Sequence, residues 1–158
     1  MAIFMKYGSI DGDSEKKGFE KWIAIDSFQF GVGRGIANAA AGASKREASV
    51  PSVSEIVITK SMDVSSPLLL KESLQGPGTQ VKIQLTRTDA KGEIAFQKYI
   101  LEDCMVSSYS VSSGGDRPSE SLSLNFGKIT SEYMKIDSKF GMATTGPIIW
   151  DLTKSERT

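Results

Sequence analysis

The sequence predicts a mainly β protein with one short helix and a long extended arm. Three observations support this fold class: apolar and polar residues alternate through most of the chain, residues 66–77 carry helix start and stop signals, and residues 31–50 are mostly small. Alternation of this kind indicates strands with one buried face. The 158-residue length fits one domain that spans residues 1–158.

Period-two alternation defines the strands. Val81, Ile83 and Leu85 fall on one face, with polar residues between them. The same pattern predicts seven strands, over residues 3–7, 20–30, 53–60, 81–86, 94–112, 119–136 and 147–152. Turn residues separate several of these runs, among them the sequence GGD at 114–116.

The second predicted strand, residues 20–30, carries three aromatic side chains of one parity. Trp22, Phe28 and Phe30 should share one face and pack into the core. Ser27 and Gln29 then point to the opposite face. On periodicity alone that face contacts solvent, a neighbouring subunit or a lumen.

The predicted strand over residues 119–136 changes phase at Gly127. Leu122, Leu124 and Phe126 occupy even positions, whereas Ile129 is at an odd one. A β-bulge at Gly127 would restore the inward face and bend the strand, as closing a sheet into a barrel requires.

The single predicted helix spans residues 66–75. Ser66 is suited to cap it, Pro67 to its first position, and Gly76, followed by another proline, to its end. Leu70 and Leu74 lie one turn apart and predict its apolar side.

Residues 31–50 are predicted to form the extended arm. Half of them are glycine or alanine, too small to form a core. A surface loop and an arm that reaches a neighbouring subunit both fit this composition. If the segment is an arm, Arg34, Lys45, Arg46 and Glu47 are its candidates for contacts between subunits or between stacked rings.

Composition limits the classes of function. The 19 basic and 19 acidic residues cancel, so neither the basic excess of a nucleic-acid binder nor the polybasic face of a membrane-surface protein is present. The sequence has no apolar run long enough to span a bilayer and no signal-peptide pattern at its start. We therefore expect synthesis in the cytoplasm, and any export must recognise the folded protein.

The residue types also argue against catalysis. There is no histidine, so imidazole-dependent hydrolysis and imidazole zinc sites are excluded. Cys104 lies within a strand pattern, which predicts that it is a small, buried hydrophobic residue. Ser14 and Lys17 match an S-x-x-K spacing without any companion motif. We predict no catalytic site, no metal and no cofactor.

Several segments resemble, in order, the haemolysin-coregulated protein family, which forms the secreted tube of bacterial type VI secretion systems. The resemblance covers residues from about 1 to 150. It is carried by residues 10–14 (IDGDS), 22–31 (WIAIDSFQFG) and 58–60 (ITK), by Asp63, Ser66, Pro67 and Leu69, and by the hairpin at 106–126.

The resemblance implies a tight, closed β-barrel of two antiparallel sheets, six copies of which form a ring. Such rings stack into an inner tube that a contractile sheath expels behind a spike protein, and the lumen carries effectors. It further implies secretion by this system without a signal peptide, and it places Ser27 and Gln29 as lumen candidates. A phage-type tail tube subunit is the alternative, and an unrelated β-rich binding module, such as a carbohydrate reader, is a third.

Overall fold

The structure, a computed structural model, describes residues 1–37, 47–136, 142–154 and 156–157. The strands of this part of the chain are β1 (Ala2–Tyr7), β2 (Ile23–Ile25), β3 (Ser27–Gln29), β4 (Val32–Gly33), β5 (Ile36–Ala37), β6 (Glu47–Ala48), β7 (Ser52–Val53), β8 (Ile56–Ser61), β9 (Thr79–Asp89), β10 (Gly92–Ser112), β11 (Ser119–Asn125), β12 (Lys128–Ile136), β13 (Met142–Thr144), β14 (Ile148–Asp151) and β15 (Glu156–Arg157). One helix, α1, spans Ser66–Gln75. The predicted mainly β, antiparallel fold with one helix is confirmed.

The 21-residue strand β10 belongs to two sheets. Its first part pairs with β9 and β12, in a sheet of order β2-β1-β9-β10-β12-β14-β15. Its last part pairs with β11, in a sheet of order β10-β11-β8-β3. The main core lies between these sheets and includes Met5, Ile58, Ile83, Leu101 and Leu122.

The two sheets are connected at two places, through β10 and through residues 23–29. β2 pairs with β1 in the first sheet, and β3, one residue further along the chain, pairs with β8 in the second. Asp26 joins them, and its backbone N–H donates to the Thr59 carbonyl at 2.8 Å. Residues 23–29 therefore connect the free margins of both sheets.

The prediction of one continuous strand over residues 20–30 is wrong. The chain bends at Asp26, so buried side chains are odd-numbered in β2 (Ile23 and Ile25), whereas the core-facing residue of β3 is Phe28. Trp22 precedes β2 and does not share a face with Phe28 and Phe30.

Trp22 instead packs in a second, smaller cluster. Its ring meets Phe19 edge-on at 5.2 Å, and Phe19 stacks on Phe4 at 4.6 Å. Ala95 and Met134 complete this cluster. Gly12 makes the covering loop possible, because a Cβ there would lie 2.4 Å from the Trp22 carbonyl oxygen.

Gly127 interrupts the predicted strand over residues 119–136, but the predicted bulge is not at Gly127. β10 keeps one register on both sides of this break, with Glu102 opposite Lys128 and Met105 opposite Asn125. The irregularity lies in β10 itself, opposite β9, where Asp103 has a φ of 52°. Aspartate tolerates this left-handed conformation better than most residues.

Helix α1 has the predicted bounds, residues 66–75, but a different cap residue. Ser65 occupies the cap position and makes no side-chain capping bond, whereas Ser66 is the first helical residue and its Oγ accepts from the Asp63 N–H at 2.9 Å. Leu69 is the buried leucine. Leu70 and Leu74 are exposed, so the predicted apolar side does not face the core.

The described part of the arm is a two-stranded ribbon that continues the β3–β8 hairpin. Val32 pairs with Val53, and Ile36 with Ala48. The Ser49 Oγ accepts from the Gly35 N–H at 2.8 Å between these two pairings. The expected loop over residues 31–50 is thus partly β structure, and residues 38–46 lie outside the described residues.

A buried ion pair joins three elements beside the main core. Lys60 Nζ on β8 lies 2.5 Å from Glu120 Oε2 on β11 and 2.9 Å from the carboxylate of Asp63, before α1. Lys60 and Glu120 side chains are both fully buried. The Tyr109 hydroxyl on β10 donates to the second Glu120 oxygen. Each buried charge therefore has a partner, as burial requires.

We expect Lys60→Met to lower the free energy of unfolding by about 3–5 kcal/mol, because it leaves the buried Glu120 carboxylate without its cation. Urea denaturation measures this loss. The matched double variant Lys60→Met/Glu120→Gln should recover part of it, since Glu120 is then neutral and only the Asp63 carboxylate still lacks its Lys60 contact. Equal stability of the single variant and the wild type would contradict a stabilising role for the pair.

Candidate functional site

The outer surface of the second sheet is the candidate site. Along β8 and β11, buried side chains such as Ile58 and Leu122 alternate with partly exposed ones. The exposed positions are in register across the four strands: Ser27 is opposite Thr59, Thr59 is opposite Ser121, and Ser121 is opposite Ser110. One row of hydroxyls therefore crosses the sheet.

Two further rows flank this one. Gln29, Val57, Ser123 and Ser108 follow one another across the strands on one side, and Ser61, Ser119 and Ser112 on the other. We call the three rows together the hydroxyl face. Its members are Ser27, Gln29, Val57, Thr59, Ser61, Ser108, Ser110, Ser112, Ser119, Ser121 and Ser123.

Every side chain of the hydroxyl face is uncharged. Ser27 Oγ and Thr59 Oγ1 lie 2.5 Å apart, which shows that they point to the same side of the sheet. Within the described part of the chain, Gln29, Ser110 and Ser121 make no side-chain hydrogen bond. These groups are available to a partner or to water.

Carboxylates stand at the two ends of the face. Asp26 accepts from the Ser61 Oγ at 3.3 Å. Glu55, just before β8, accepts from the Ser107 Oγ at 2.5 Å and from the Asn125 Nδ2 at 3.2 Å. Both charges are thus hydrogen-bonded within the protein.

The structure brings Ser27 and Gln29 together on this face, both exposed. Sequence reasoning missed the residues that β8, β10 and β11 contribute. The alternating serines at 119, 121 and 123 carried a usable signal. The serines of β10 did not, because a bulge at Ser107 shifts their register. Phe28 and Phe30 lie behind the face and pack on Tyr99, at ring distances of 5.0 and 6.0 Å.

The arm candidates are separate from the hydroxyl face. Arg34 is exposed between β4 and β5. Glu47 lies in β6, whereas Lys45 and Arg46 lie outside the described residues. At the ribbon's base an apolar cleft of about 220 Å³ opens towards β12 and β14, lined by Phe30, Val32, Pro51, Val53, Ile129, Ser131, Ile148 and Trp150.

The potentially reactive groups are dispersed or buried. Burial raises the pKa of Cys104 to about 12, and the nearby Asp103 charge adds to this shift. Ser14 and Lys17 lie in the exposed loop before β2. Over residues 1–37, 47–136, 142–154 and 156–157, no cluster of three metal-ligating side chains is present. The one helix described is too short to cross a membrane.

The chain is similar to proteins of one known family. Residues 4–133 match the family described as "Type VI secretion system effector, Hcp". Comparison with curated proteins finds no match. A solved structure of a type six secretion system protein has 25% identity and a TM-score of 0.89, with 99% of each chain covered.

Two further solved structures share the fold. Hcp1 from Salmonella typhimurium has 21% identity and a TM-score of 0.76, covering 99% of this chain and 98% of its own. A type VI secretion system effector from Yersinia pestis has 20% identity and a TM-score of 0.70, covering 94% and 98%.

The fold and the matches define a component of a type VI secretion system. The chain belongs to the Hcp family. This is a family of structural tube proteins rather than enzymes, and its members are secreted by the type VI system.

The shifted pKa values predict how stability depends on pH. Burial raises the pKa of Cys104 to about 12 from 9.0, and burial together with the Glu120 contact raises that of Tyr109 to about 12 from 10.0. A raised folded-state pKa contributes stability that is complete below the unfolded-state value and is lost as pH rises towards the folded-state value.

We therefore expect the urea midpoint to stay level between about pH 6 and 8, because the chain has no histidine, and to fall above about pH 9. Denaturation across this range measures the profile, and Tyr109→Phe should make the alkaline loss shallower. A midpoint that already falls between pH 6 and 8 would contradict this account.

Proposed function

We propose that this chain forms hexameric rings that stack into the inner tube of a type VI secretion system, and that the tube carries or chaperones effectors. The observation that carries the proposal is the hydroxyl face, a broad uncharged surface on a chain of a tube-protein family. A lumen wall repeated around a ring needs a surface without strong self-repulsion, and uncharged side chains provide it.

Ser27 and Gln29 are the proposed lumen residues. Both are exposed on the hydroxyl face, and Gln29 offers an amide that makes no hydrogen bond within the described part of the chain. An amide can donate two hydrogen bonds and accept others, so Gln29 suits contact with a polar protein surface.

Contacts between subunits are proposed at the margin of the first sheet. β15 forms an edge there, and exposed sheet edges recruit further strands. The apolar cleft lies nearby, and Val32 and Ile148 in its wall are 60% and 55% exposed. Covering such surfaces stabilises an assembly.

The ribbon is proposed to contact a neighbouring ring or subunit. Its exposed residues Val32, Ile36 and Val50 have no core to join. Arg34 and Glu47 lie along it, and Lys45 and Arg46 fall between its strands in the sequence. Charges of both signs can pair with a second copy of the same segment.

The remaining features of the proposal follow the family. The chain acts as one tube domain over residues 1–158, with the contractile sheath, the spike protein and secreted effectors as further partners. It is made in the cytoplasm and exported without a signal peptide, neither binds nucleic acid nor inserts into a membrane, and has no catalytic activity. Hydrolytic turnover that is lost on Ser14→Ala or Cys104→Ala would contradict the last point.

Native mass spectrometry tests ring formation. We expect the purified protein to give a six-copy species, because a neighbouring copy would cover β15 and the apolar cleft. A monomer at high concentration would contradict the proposal.

A ribbon-shortened variant, with residues 36–48 replaced by a two-residue turn, separates ring formation from ring stacking. It should retain the ring mass and fold, because the described residues that it removes, 36–37 and 47–48, belong to neither core cluster. Stacked tubes seen by electron microscopy should become rarer. Unfolding of this variant would show that the domain needs the ribbon to fold, which would contradict the proposed role.

Gln29→Arg tests the lumen assignment. The ring should persist, since Gln29 is exposed, while co-purification and secretion of effectors fall by about fivefold or more, because repeated charges repel and hold their hydration. Gln29→Asn is the neutral control. Unchanged secretion from an intact ring would remove Gln29 from the wall, and loss of the ring would place it in a subunit interface.

A further inference from the structure

The hydroxyl face has one chemistry across four strands. Its central row runs Ser27, Thr59, Ser121 and Ser110, and serines dominate the flanking rows. A hydroxyl donates one hydrogen bond and accepts others, so this surface offers both donors and acceptors at each row.

Charge is confined to the margins of the face. On this side of the sheet the flanking carboxylates are those of Asp26 and Glu55, at opposite ends of the face along the strand direction, and each accepts hydrogen bonds from its own neighbours. The Glu120 carboxylate on β11 is buried on the other side. No lysine or arginine belongs to the three rows. The face therefore lacks the cations that would hold a polyanion such as a nucleic acid.

Apolar contact also contributes little. Val57 is the one aliphatic side chain in the rows, and it is half-buried between polar neighbours. Burial of apolar surface cannot be the main source of affinity on such a face. Hydrogen bonds to uncharged polar groups are the interaction that the surface is built to make.

We infer that the hydroxyl face holds its protein cargo through uncharged hydrogen bonds, so that capture does not depend on the cargo's net charge. The cargo surface that fits is one of serine, threonine, asparagine and glutamine side chains and free backbone groups. This inference rests on the proposed function, because it takes the face as the surface that cargo meets.

Three dye-labelled peptides of equal length test it. One contains only serine, glycine, asparagine and glutamine, and in the others alternate positions are lysine or glutamate. Fluorescence anisotropy measures the Kd of each peptide. The neutral peptide should bind most tightly, or with a Kd within about threefold of the tightest-binding peptide. Its affinity should change less than about twofold between 50 and 500 mM NaCl, a range over which exposed ionic contacts are screened.

Matched charge variants locate the contact. Ser121→Lys should make the glutamate peptide bind about fivefold tighter than the lysine peptide at low salt, and Ser121→Asp should reverse that order. Ser9→Lys, on the exposed turn after β1, is the control and should change neither. Asp26→Asn and Glu55→Gln should leave binding of the neutral peptide unchanged.

Several results would overturn the inference. They are absence of binding by the neutral peptide, a salt-sensitive preference of the wild type for either charged peptide, loss of binding in Asp26→Asn or Glu55→Gln, and no effect of the Ser121 variants. Native mass spectrometry on the same samples reports separately on the ring. A missing ring with charge-independent binding would refute the proposed function alone.

Discussion

The arrangement of both sheets depends on the bend at Asp26. Residues 23–25 pair with β1, residues 27–29 pair with β8, and the Asp26 N–H bonded to Thr59 lies between the two ladders. Without this short segment each sheet would have a free margin exposing unpaired backbone groups, which is costly and invites aggregation. Seven residues thus satisfy two margins at once, and the core is enclosed between them.

The same bend separates the two surfaces that matter for function. Before the bend the odd-numbered residues Ile23 and Ile25 face the core, whereas after it the even-numbered Phe28 does. Trp22 consequently anchors the loop that covers the outer side of the first sheet, while Ser27 and Gln29 reach the outer side of the second. Behind that second surface the Lys60–Glu120 pair fixes β8, β11 and the start of α1 in one arrangement. An uncharged outer face therefore lies over an apolar core with one buried, paired cluster of charges at its side.

The sequence predicted what local patterns determine. Alternation gave the fold class and the shared orientation of Ser27 and Gln29, because side-chain direction in a strand follows from period two alone. The proline and glycine signals gave the bounds of α1. Local patterns failed where pairing with a strand far along the chain determines the local structure. The break at Asp26 exists because two different strands pair on either side of it, and the bulges at Ser107 and Asp103 reflect registers set by β11 and β9. The Lys60–Glu120 pair joins residues 60 positions apart, each looking like an ordinary surface charge in its own segment.

Cys104 lies at the corner where β10 passes from one sheet to the other, fully buried and with a raised pKa. A thiol in this state is a poor nucleophile at neutral pH, because the reactive thiolate is scarce and shielded from solvent. It is also the only cysteine in the chain. A cysteine introduced at an exposed position such as Ser110 would therefore react with a maleimide dye with little background. The folded protein is in this respect already prepared for single-site fluorescent labelling.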